Sequence, residues 1–257
     1  MNSEKENNGV SLSAMSIMGQ RDEQQDAYVY KQFPDRTIAI VCDGMGGLQG
    51  GSVASKYVVK RLAYELERAD LSVDMYSFFR YELEKLDDEV YGLRGQDGKR
   101  IGAGTTVVAT ILSDNHLHWF SVGDSMLYYI RQEEMHCFTR AHNYMLHLNQ
   151  KKDNHEISEE DYLKESEKGE QLISYLGMGT AEIFDSNYRP LTVQRGDRLL
   201  LCTDGLYRTL SQEEIYSIMK QSGSAERICK LFGNAISSKR VRNQDNATWI
   251  VIQRTGE

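Results

Sequence analysis

Short apolar runs rich in β-branched residues mark the first part of the chain. The clearest run is TIAIVC, and we predict that it forms a buried strand over residues 37–42. Before it, apolar and polar residues alternate over 10–39 and indicate strands joined by a turn at 33–35. Residues 1–10 are polar, and we predict that they form a disordered tail.

The period of the apolar residues changes after the glycine-rich stretch GMGGLQGG at 44–51. Apolar residues then recur at helical spacing and predict one helix over 52–67. A second helix is predicted from an N-cap at Ser72 to about residue 93. Two successive helices of this length form a hairpin that can cover one face of a sheet.

The second half of the chain predicts strands in groups. Apolar runs at 107–112, 117–122 and 126–131 are separated by short turns and favour an antiparallel meander. After this first group of strands, the polar residues 141–173 predict two short helices and a mobile loop that form a flap and helical insertion. The remaining predicted elements are strands at 183–188, 191–193, 198–203 and 247–253, and helices at 211–221 and 225–239. We interpret residues 11–257 as one α+β catalytic domain of layered sheets and helices.

Composition excludes several classes of protein. Of the 257 residues, 40% are apolar and 26% are charged, so a sizeable core is available and global disorder is not expected. The net charge of −8 argues against nucleic-acid binding, which depends on clustered Lys and Arg. None of the four cysteines forms a CxxC pair, which disfavours a zinc site. Because the start is polar and no apolar run reaches about 20 residues, we expect a cytoplasmic protein without a membrane helix.

Three aspartates lie at the ends of apolar strands. Asp43 follows TIAIVC, Asp204 follows RLLLCT, and Asp245 lies just before ATWIVI. A carboxylate beside a buried strand is costly unless it faces water at a turn, pairs with Lys or Arg, or binds a metal ion. Glycine directly follows Asp43 and Asp204, which lets a carbonyl or a bound phosphate approach closely. Oxygen ligands without Cys or His suit Mg²⁺ or Mn²⁺.

Six short motifs extend this pattern across nearly the whole chain. They are RDEQQDA (21–27), VCDGMGG (41–47), GAGTT (102–106), VGDS (122–125), RGDRLLLCTDGL (195–206) and DNATWIVI (245–252). In this order they resemble the bacterial form of the type 2C, metal-dependent serine/threonine protein phosphatases. The resemblance implies a four-layer αββα sandwich, in which two antiparallel sheets are flanked by helices. It also implies metal-dependent hydrolysis of phosphoserine and phosphothreonine in proteins.

The resemblance assigns a metal centre to five residues. Asp43 would bridge two Mn²⁺ or Mg²⁺ ions, and the carbonyl of Gly44 would bind the second ion. Asp204 and Asp245 would hold the first ion. Asp26 would support the cluster through metal-bound water. A metal-bound hydroxide would then attack phosphorus in line, without a phospho-enzyme.

The resemblance also assigns the substrate side of the site. Arg21 would bind the substrate phosphate as a bidentate fork. Asp124, together with Asp204, would match a third and weaker metal site, which makes two or three ions in all. Substrates would be phosphoproteins modified by a serine/threonine kinase, and we expect a monomer that binds neither nucleic acid nor membranes.

Four residues depart from the family pattern. Gln25 stands where many members have Glu, Met45 where animal members have His, and Met126 where Arg is usual. Ala141 replaces an aspartate in the region that leads to the flap. The change at Gln25 removes a charge, and the change at Met45 removes a proposed general acid. The change at Ala141 removes a carboxylate that would contact the substrate near the flap.

Three other interpretations are weighed against this one. A pseudophosphatase would bind phosphoproteins without turnover, and a small-molecule metallophosphatase would use the same fold on other substrates. Cys202 and Arg208 fit the Cys-x5-Arg spacing of cysteine-dependent phosphatases. Because Cys202 ends an apolar run, we interpret it as a buried structural thiol.

Overall fold

Three clusters of buried apolar residues define the layers of the structure, a computed structural model that describes residues 9–46 and 50–256. One cluster lies between two antiparallel β-sheets. Each of the other two lies between one sheet and the helices outside it. The four-layer αββα sandwich implied by the sequence is therefore confirmed.

The strands of the described residues form two main sheets and one small one. They are β1 (Val10–Ile17), β2 (Ala27–Gln32), β3 (Thr37–Cys42), β4 (Gly44–Met45), β5 (Gly104–Thr105), β6 (Val107–Ser113), β7 (His116–Val122), β8 (Met126–Arg131), β9 (Glu134–Cys137), β10 (Asp185–Ser186), β11 (Leu191–Thr192), β12 (Arg198–Cys202) and β13 (Ala247–Arg254). The first sheet has the order β1-β13-β12-β8-β9. The second has the order β10-β7-β6-β3-β2, with β11 on β7, and β4 pairs with β5.

The described residues form seven α-helices. They are α1 (Gly50–Arg68), α2 (Met75–Tyr91), α3 (Tyr144–Asp153), α4 (Glu159–Glu165), α5 (Asp204–Tyr207), α6 (Gln212–Met219) and α7 (Ala225–Lys239), with a 3-10 turn at Ser166–Lys168. α1 and α2 cover the second sheet, while α6 and α7 cover the first. The bounds of α7 are those predicted, and α3 and α4 are the two short helices expected in the polar segment.

The position of β3 explains its continuous apolar sequence. Ile38 and Ile40 face α1 and α2, whereas Ala39 and Val41 face the other sheet. All six residues of β3 are buried. A strand covered on both faces has no solvent side, so the apolar and polar alternation of a half-buried strand is absent.

The chain changes sheets where we predicted a continuous meander. β6 pairs with β7 in the second sheet, but β8 pairs with β12 and β9 in the first. The meander prediction is therefore wrong at its third strand. The change occurs at Gly123, whose φ of 96° favours glycine and whose added Cβ would lie 2.6 Å from Thr106. Asp124 follows directly, where the chain passes from one sheet to the other.

The start of α2 differs from the prediction. Asp74 is the N-cap, and its carboxylate accepts hydrogen bonds from two backbone N–H groups of the first turn. Ser72 lies before the helix, and its hydroxyl donates to Asp70 at 2.7 Å. The predicted N-cap at Ser72 is wrong because an equally suitable capping residue follows two positions later.

Two further sequence predictions are affected at their edges. Val10, where the predicted tail and the predicted strand region overlap, begins β1 and pairs with Arg254. Residues 1–8 of that tail and residues 47–49 of the glycine-rich stretch lie outside the described residues. The strand predicted at 183–188 is reduced to Asp185–Ser186.

Within the described ranges, no helix is long and apolar enough to span a membrane.

Candidate active site and metal centre

The ends of β3 and β12 and the start of β13 meet at one cleft. A cavity of about 420 Å³ lies there. Six of the seven residues that the resemblance assigned to the site line it, namely Arg21, Asp43, Gly44, Asp124, Asp204 and Asp245. The seventh, Asp26, directly precedes β2 and is buried, with 4% of its surface exposed. Carboxylates that are far apart in the sequence thus share one location.

Backbone hydrogen bonds from the GAGTT motif hold Asp43 in place. Its N–H donates to Thr106 Oγ1 at 3.0 Å, and its carbonyl accepts from the Thr106 N–H at 2.9 Å. Thr105 Oγ1 donates to the same carbonyl at 2.8 Å. Thr106 Oγ1 also contacts Ser125 Oγ at 2.7 Å, next to Asp124. The motif is therefore a support for the Asp43 turn, and it links that turn to the Asp124 turn.

Glycine follows two of the aspartates because other backbone atoms approach closely. A Cβ on Gly44 would lie 2.1 Å from the carbonyl oxygen of Gly51. A Cβ on Gly205 would lie 1.9 Å from the carbonyl oxygen of Asn246. The Asn246 side chain in turn accepts from the Gln25 N–H at 2.8 Å. These contacts bring the four segments that carry the site together.

The buried carboxyls of the cleft repel one another. Burial raises the pKa of Asp43 well above its ordinary value, and the charges of Asp26 and Asp204 add to this. Burial, followed by the charge of Asp124, raises the pKa of Asp204 to about 6, although Arg208 acts in the opposite direction. Burial raises the pKa of Asp26 to about 7, although hydrogen bonds from threonine hydroxyls lower it. The ionised forms of these acids are therefore unfavourable, and a cation bound in the cleft would stabilise them.

Two arginines at the rim neutralise part of this charge. Arg21 Nη2 contacts Asp245 Oδ2 at 2.6 Å, and 58% of the Arg21 side chain is exposed. Arg208 Nε contacts Asp204 Oδ2 at 2.9 Å, and its Nη2 lies 3.5 Å from Asp124 Oδ2. A third contact joins Arg208 to Glu170. The sequence did not identify Arg208 as a site residue, although its position four residues after Asp204 on a helix was a usable signal.

The donor set fits divalent cations that prefer oxygen. Asp204 Oδ1 is buried, and no N–H donor or hydroxyl of the described residues satisfies it. Within 9–46 and 50–256, no three acidic, histidine or cysteine side chains lie close enough together to hold a metal ion as they stand. Arg21 contacts Asp245, and Arg208 contacts Asp124 and Asp204. Carboxylates and a backbone carbonyl are the ligands that Mg²⁺ and Mn²⁺ prefer, and such ions would relieve the repulsion described above.

The departures from the family pattern divide into two groups. Gln25 and Met45 line the cleft, and neither brings a charge to it. Met126 lies in β8, where its sulfur contacts the Thr139 hydroxyl at 3.3 Å. Neither Met126 nor Ala141 lines the cleft. Gln25 and Met45 are therefore the departures that bear on the chemistry.

Cys202 is buried at the end of β12 and does not act as a nucleophile. Its side chain is fully buried, and burial raises the pKa of the thiol well above its ordinary value. A nucleophilic cysteine needs the opposite, an exposed thiolate with a lowered pKa. The Cys-x5-Arg spacing is therefore not a cysteine-dependent site. Arg208 stands at this spacing because it pairs with Asp204, four residues before it.

His142 supports the turn that carries Asp124. Its buried imidazole accepts a hydrogen bond from the Gly123 N–H at Nδ1, 3.1 Å away. The backbone N–H of His142 donates to the Gly123 carbonyl at 2.9 Å. The other imidazole nitrogen lies 3.4 Å from Asp185, which Arg140 also contacts at 2.6 Å. Residues next to Ala141, where the family has an aspartate, therefore hold the turn that carries Asp124. The sequence alone did not show this support.

Replacing Asp26 by Asn is expected to make the metal-free protein less sensitive to pH. The pKa of Asp26 rises from 3.8 to about 7 on folding. The stability that this group contributes is therefore present below about pH 4 and is lost as the pH rises through about 7. Between about pH 5 and about pH 7.5, the free energy of unfolding should fall more in the wild type than in Asp26→Asn. Urea denaturation in EDTA measures both slopes, and equal slopes would contradict the assignment.

A family model described as Protein phosphatase 2C matches residues 18–244. Among curated proteins, the serine/threonine phosphatase stp of Listeria welshimeri is 29% identical over 230 residues, which cover 88% of each chain. Protein phosphatase PhpP of Streptococcus pneumoniae is 28% identical over 214 residues, which cover 82% of this chain and 84% of that protein.

Solved structures share the fold. The Streptococcus agalactiae serine/threonine phosphatase has a TM-score of 0.79 at 22% identity and covers 95% of this chain and 99% of its own. The catalytic domain of the serine/threonine protein phosphatase PstP, solved in complex with two manganese ions, has a TM-score of 0.72 at 22% identity. It covers 95% of this chain and 97% of its own. At these identities the structures show the common αββα architecture.

Proposed function

This chain belongs to the protein phosphatase 2C family, and we propose that it hydrolyses phosphoserine and phosphothreonine in proteins with divalent metal ions. One observation carries the proposal: Asp43, Asp204 and Asp245 line one cleft together with Arg21. The relatives named as serine/threonine phosphatases support the same substrate class. The converging acids favour an enzyme over a pseudophosphatase, because their buried charge is expensive to keep without metal-dependent chemistry.

We propose Mn²⁺ or Mg²⁺ as the bound ions, held by the side chains of Asp43, Asp204 and Asp245 and the Gly44 carbonyl. When bound, such ions lower the pKa of a coordinated water and neutralise the phosphoryl oxygens. Asp26 would support these ions through metal-bound water. Its own carboxylate accepts from the Thr203 hydroxyl at 2.9 Å.

Asp124 has a different partner from the one the resemblance suggested. Arg208 contacts both Asp124 and Asp204, the two residues assigned to a third ion. A guanidinium between two carboxylates supplies the positive charge that a third ion would bring. We therefore propose two ions in the resting site, with Arg208 beside Asp124.

Arg21 lies at the mouth of the cleft and is suited to bind the substrate phosphate. Its exposed guanidinium can leave Asp245 when that carboxylate binds a metal ion. Replacing Arg21 by Ala is expected to raise KM about tenfold and to lower kcat by less, since the fork binds the ground state and the transition state alike. Steady-state kinetics on a phosphopeptide measure both constants. Arg21→Lys keeps the charge but loses the two-pronged guanidinium, so its KM should lie between those of wild type and Arg21→Ala. An unchanged KM in Arg21→Ala would contradict phosphate binding by Arg21.

Turnover of different phosphate esters tests the proposed function directly. In Mn²⁺, the protein should hydrolyse phosphothreonine and phosphoserine peptides and p-nitrophenyl phosphate, with sugar phosphates much poorer. Better turnover of sugar phosphates would favour a small-molecule metallophosphatase. Binding of phosphopeptide without release of phosphate would favour a pseudophosphatase.

The setting of the enzyme is also inferred. All four cysteines are unpaired in the structure, as is usual for a protein of a reducing compartment. We infer that the protein acts in the cytoplasm as a monomer on phosphoproteins made by a serine/threonine kinase.

A further inference from the structure

A second cavity of about 610 Å³ opens beside the active-site cleft. Met45 and Gly46 line both cavities, and Gly44 directly precedes them. Because an extended chain advances about 3.5 Å per residue, the second cavity begins within about 7 Å of Gly44. A polypeptide with its phosphoryl group in the cleft would therefore pass this cavity within two or three residues.

Backbone pairing fixes the wall of this cavity opposite Met45. β5 pairs with β4 through Gly44 and Thr105. On its other side, Thr105 exchanges two backbone hydrogen bonds with Leu176, at 3.0 and 2.9 Å. The Tyr175 ring lies so close to Gly104 that a Cβ there would be 2.5 Å from it. The metal-binding turn and the far wall of the cavity are thus parts of one hydrogen-bonded unit.

A buried aspartate holds the rest of the wall. Asp87 of α2 is 3% exposed and accepts backbone N–H groups from Gly177 at 2.6 Å, Gly179 at 3.2 Å and Ala181 at 2.9 Å. Met178, which lines the cavity, lies inside this clamp. The wall that contains Met178 is therefore preformed, and a ligand does not have to order that wall on binding.

Four side chains give this otherwise mainly polar cavity an apolar part. Met45 and Met178 are flexible thioethers that adapt to different shapes, and Tyr91 and Tyr175 add aromatic surface. The glycines that complete the lining expose backbone groups, which can hydrogen-bond an extended peptide. Such a lining accepts a large aliphatic or aromatic side chain next to a polar main chain.

A basic hairpin borders the same cavity. The guanidinium of Arg100 lines it and lies 4.2 Å from the centre of the Tyr91 ring. Arg94, Lys99 and Arg100 are all exposed, and among the described residues none of them forms an ion pair with a carboxylate. These three cations outnumber the single acid of the hairpin, Asp97, so the hairpin carries a net positive charge. It is complementary to acidic residues of a substrate.

We propose that this cavity and hairpin bind the substrate polypeptide beside the phosphorylated residue. An apolar side chain within two or three residues of the phosphoserine or phosphothreonine enters between Met45 and Met178. An acidic residue next to it lies against Arg100. This subsite rests on the proposed function, and it narrows the substrates to phosphoproteins with an apolar and an acidic residue on one side of the phosphate.

Peptide selectivity tests the subsite in the Mn²⁺-loaded enzyme. Phosphothreonine peptides of glycine and serine carry one leucine, placed in turn at each of the three positions on either side of the phosphothreonine. The best leucine peptide is expected to have about tenfold higher kcat/KM than the peptide without leucine. Glu beside that leucine should then give about fivefold higher kcat/KM than Lys. A wild type that does not distinguish these peptides would overturn the proposal.

Three variants locate the selectivity. Met178→Ala should reduce the ratio between the leucine and glycine peptides severalfold, and Arg100→Glu should reverse the preference for Glu over Lys. Lys60→Glu makes the same charge change at an exposed position of α1 and should keep both ratios. Equal Glu-to-Lys ratios in Arg100→Glu and Lys60→Glu would contradict the role of Arg100.

p-Nitrophenyl phosphate has no neighbouring residues and reports on the catalytic centre alone. If wild type hydrolyses it but shows no peptide selectivity, the subsite is wrong and the proposed function stands. If it hydrolyses neither this ester nor any peptide, the proposed function itself fails.

Discussion

Replacing Asp204 by Asn is expected to lower kcat by about a thousandfold while the protein stays folded. An amide oxygen carries no net charge, so the variant should bind the first metal ion much more weakly. Asp43 keeps its position in the variant because Thr105 and Thr106 hydrogen-bond to its backbone. Initial rates on a phosphopeptide at saturating Mn²⁺, with circular dichroism of the same samples, measure the effect.

Asp204→Asn should lose activity but gain stability in the absence of metal. Burial raises the pKa of Asp204 to about 6, so its ionised form destabilises the metal-free protein at pH values above that. Metal-free Asp204→Asn should therefore melt at a higher temperature than metal-free wild type at about pH 7.5. Asp114→Asn is a matched control, because Asp114 lies in the exposed turn between β6 and β7 with a φ of 51° that Asn also adopts. Wild-type activity in Asp204→Asn would remove this residue from the site.

Removal of metal with EDTA is expected to reduce activity to below about 1% of the starting value. Without cations, the acids of the cleft cannot activate water or neutralise a phosphate, because they are themselves negative or protonated. The metal-free protein should nevertheless stay folded, since Arg21 and Arg208 pair with Asp245 and Asp204. Activity against p-nitrophenyl phosphate and near-ultraviolet circular dichroism, measured on the same samples, distinguish loss of metal from loss of fold.

Addition of Mn²⁺ in excess of the chelator should restore activity, and Mg²⁺ should restore part of it. Na⁺ at the same ionic strength is the control for screening of the cleft. Activity that persists after exhaustive chelation would show that the acids do not work through metal ions.

The sequence brought out the acids at the centre of the cleft because they follow from local patterns, while their roles in the site stay predictions. A buried strand such as β3 or β12 has a strong apolar signal, and the acidic residue at its end stands out by contrast. Six motifs in family order then placed Asp43, Asp204 and Asp245 together, and the structure brings them to one cleft. The division into one catalytic domain over 11–257 stays a prediction.

Features that depend on contacts between distant segments were missed. A strand pattern does not reveal its neighbour, so the passage of the chain from one sheet to the other at Gly123 was read as a continuous meander. Arg208 is likewise recognised only when Asp124 and Asp204 are seen around it. The clamp of Asp87 on residues 177–181 joins segments about ninety residues apart, and no local pattern announces it.

Anomalous diffraction from a crystal grown in Mn²⁺ tests the metal centre most directly. We expect two manganese peaks in the cleft, each within coordination distance of Asp43, with Asp204 and Asp245 on one of them and Arg21 turned away from Asp245. No third peak is expected between Asp124 and Asp204, where Arg208 lies. A cleft without manganese, with both arginines still on their aspartates, would contradict metal-dependent hydrolysis at this site.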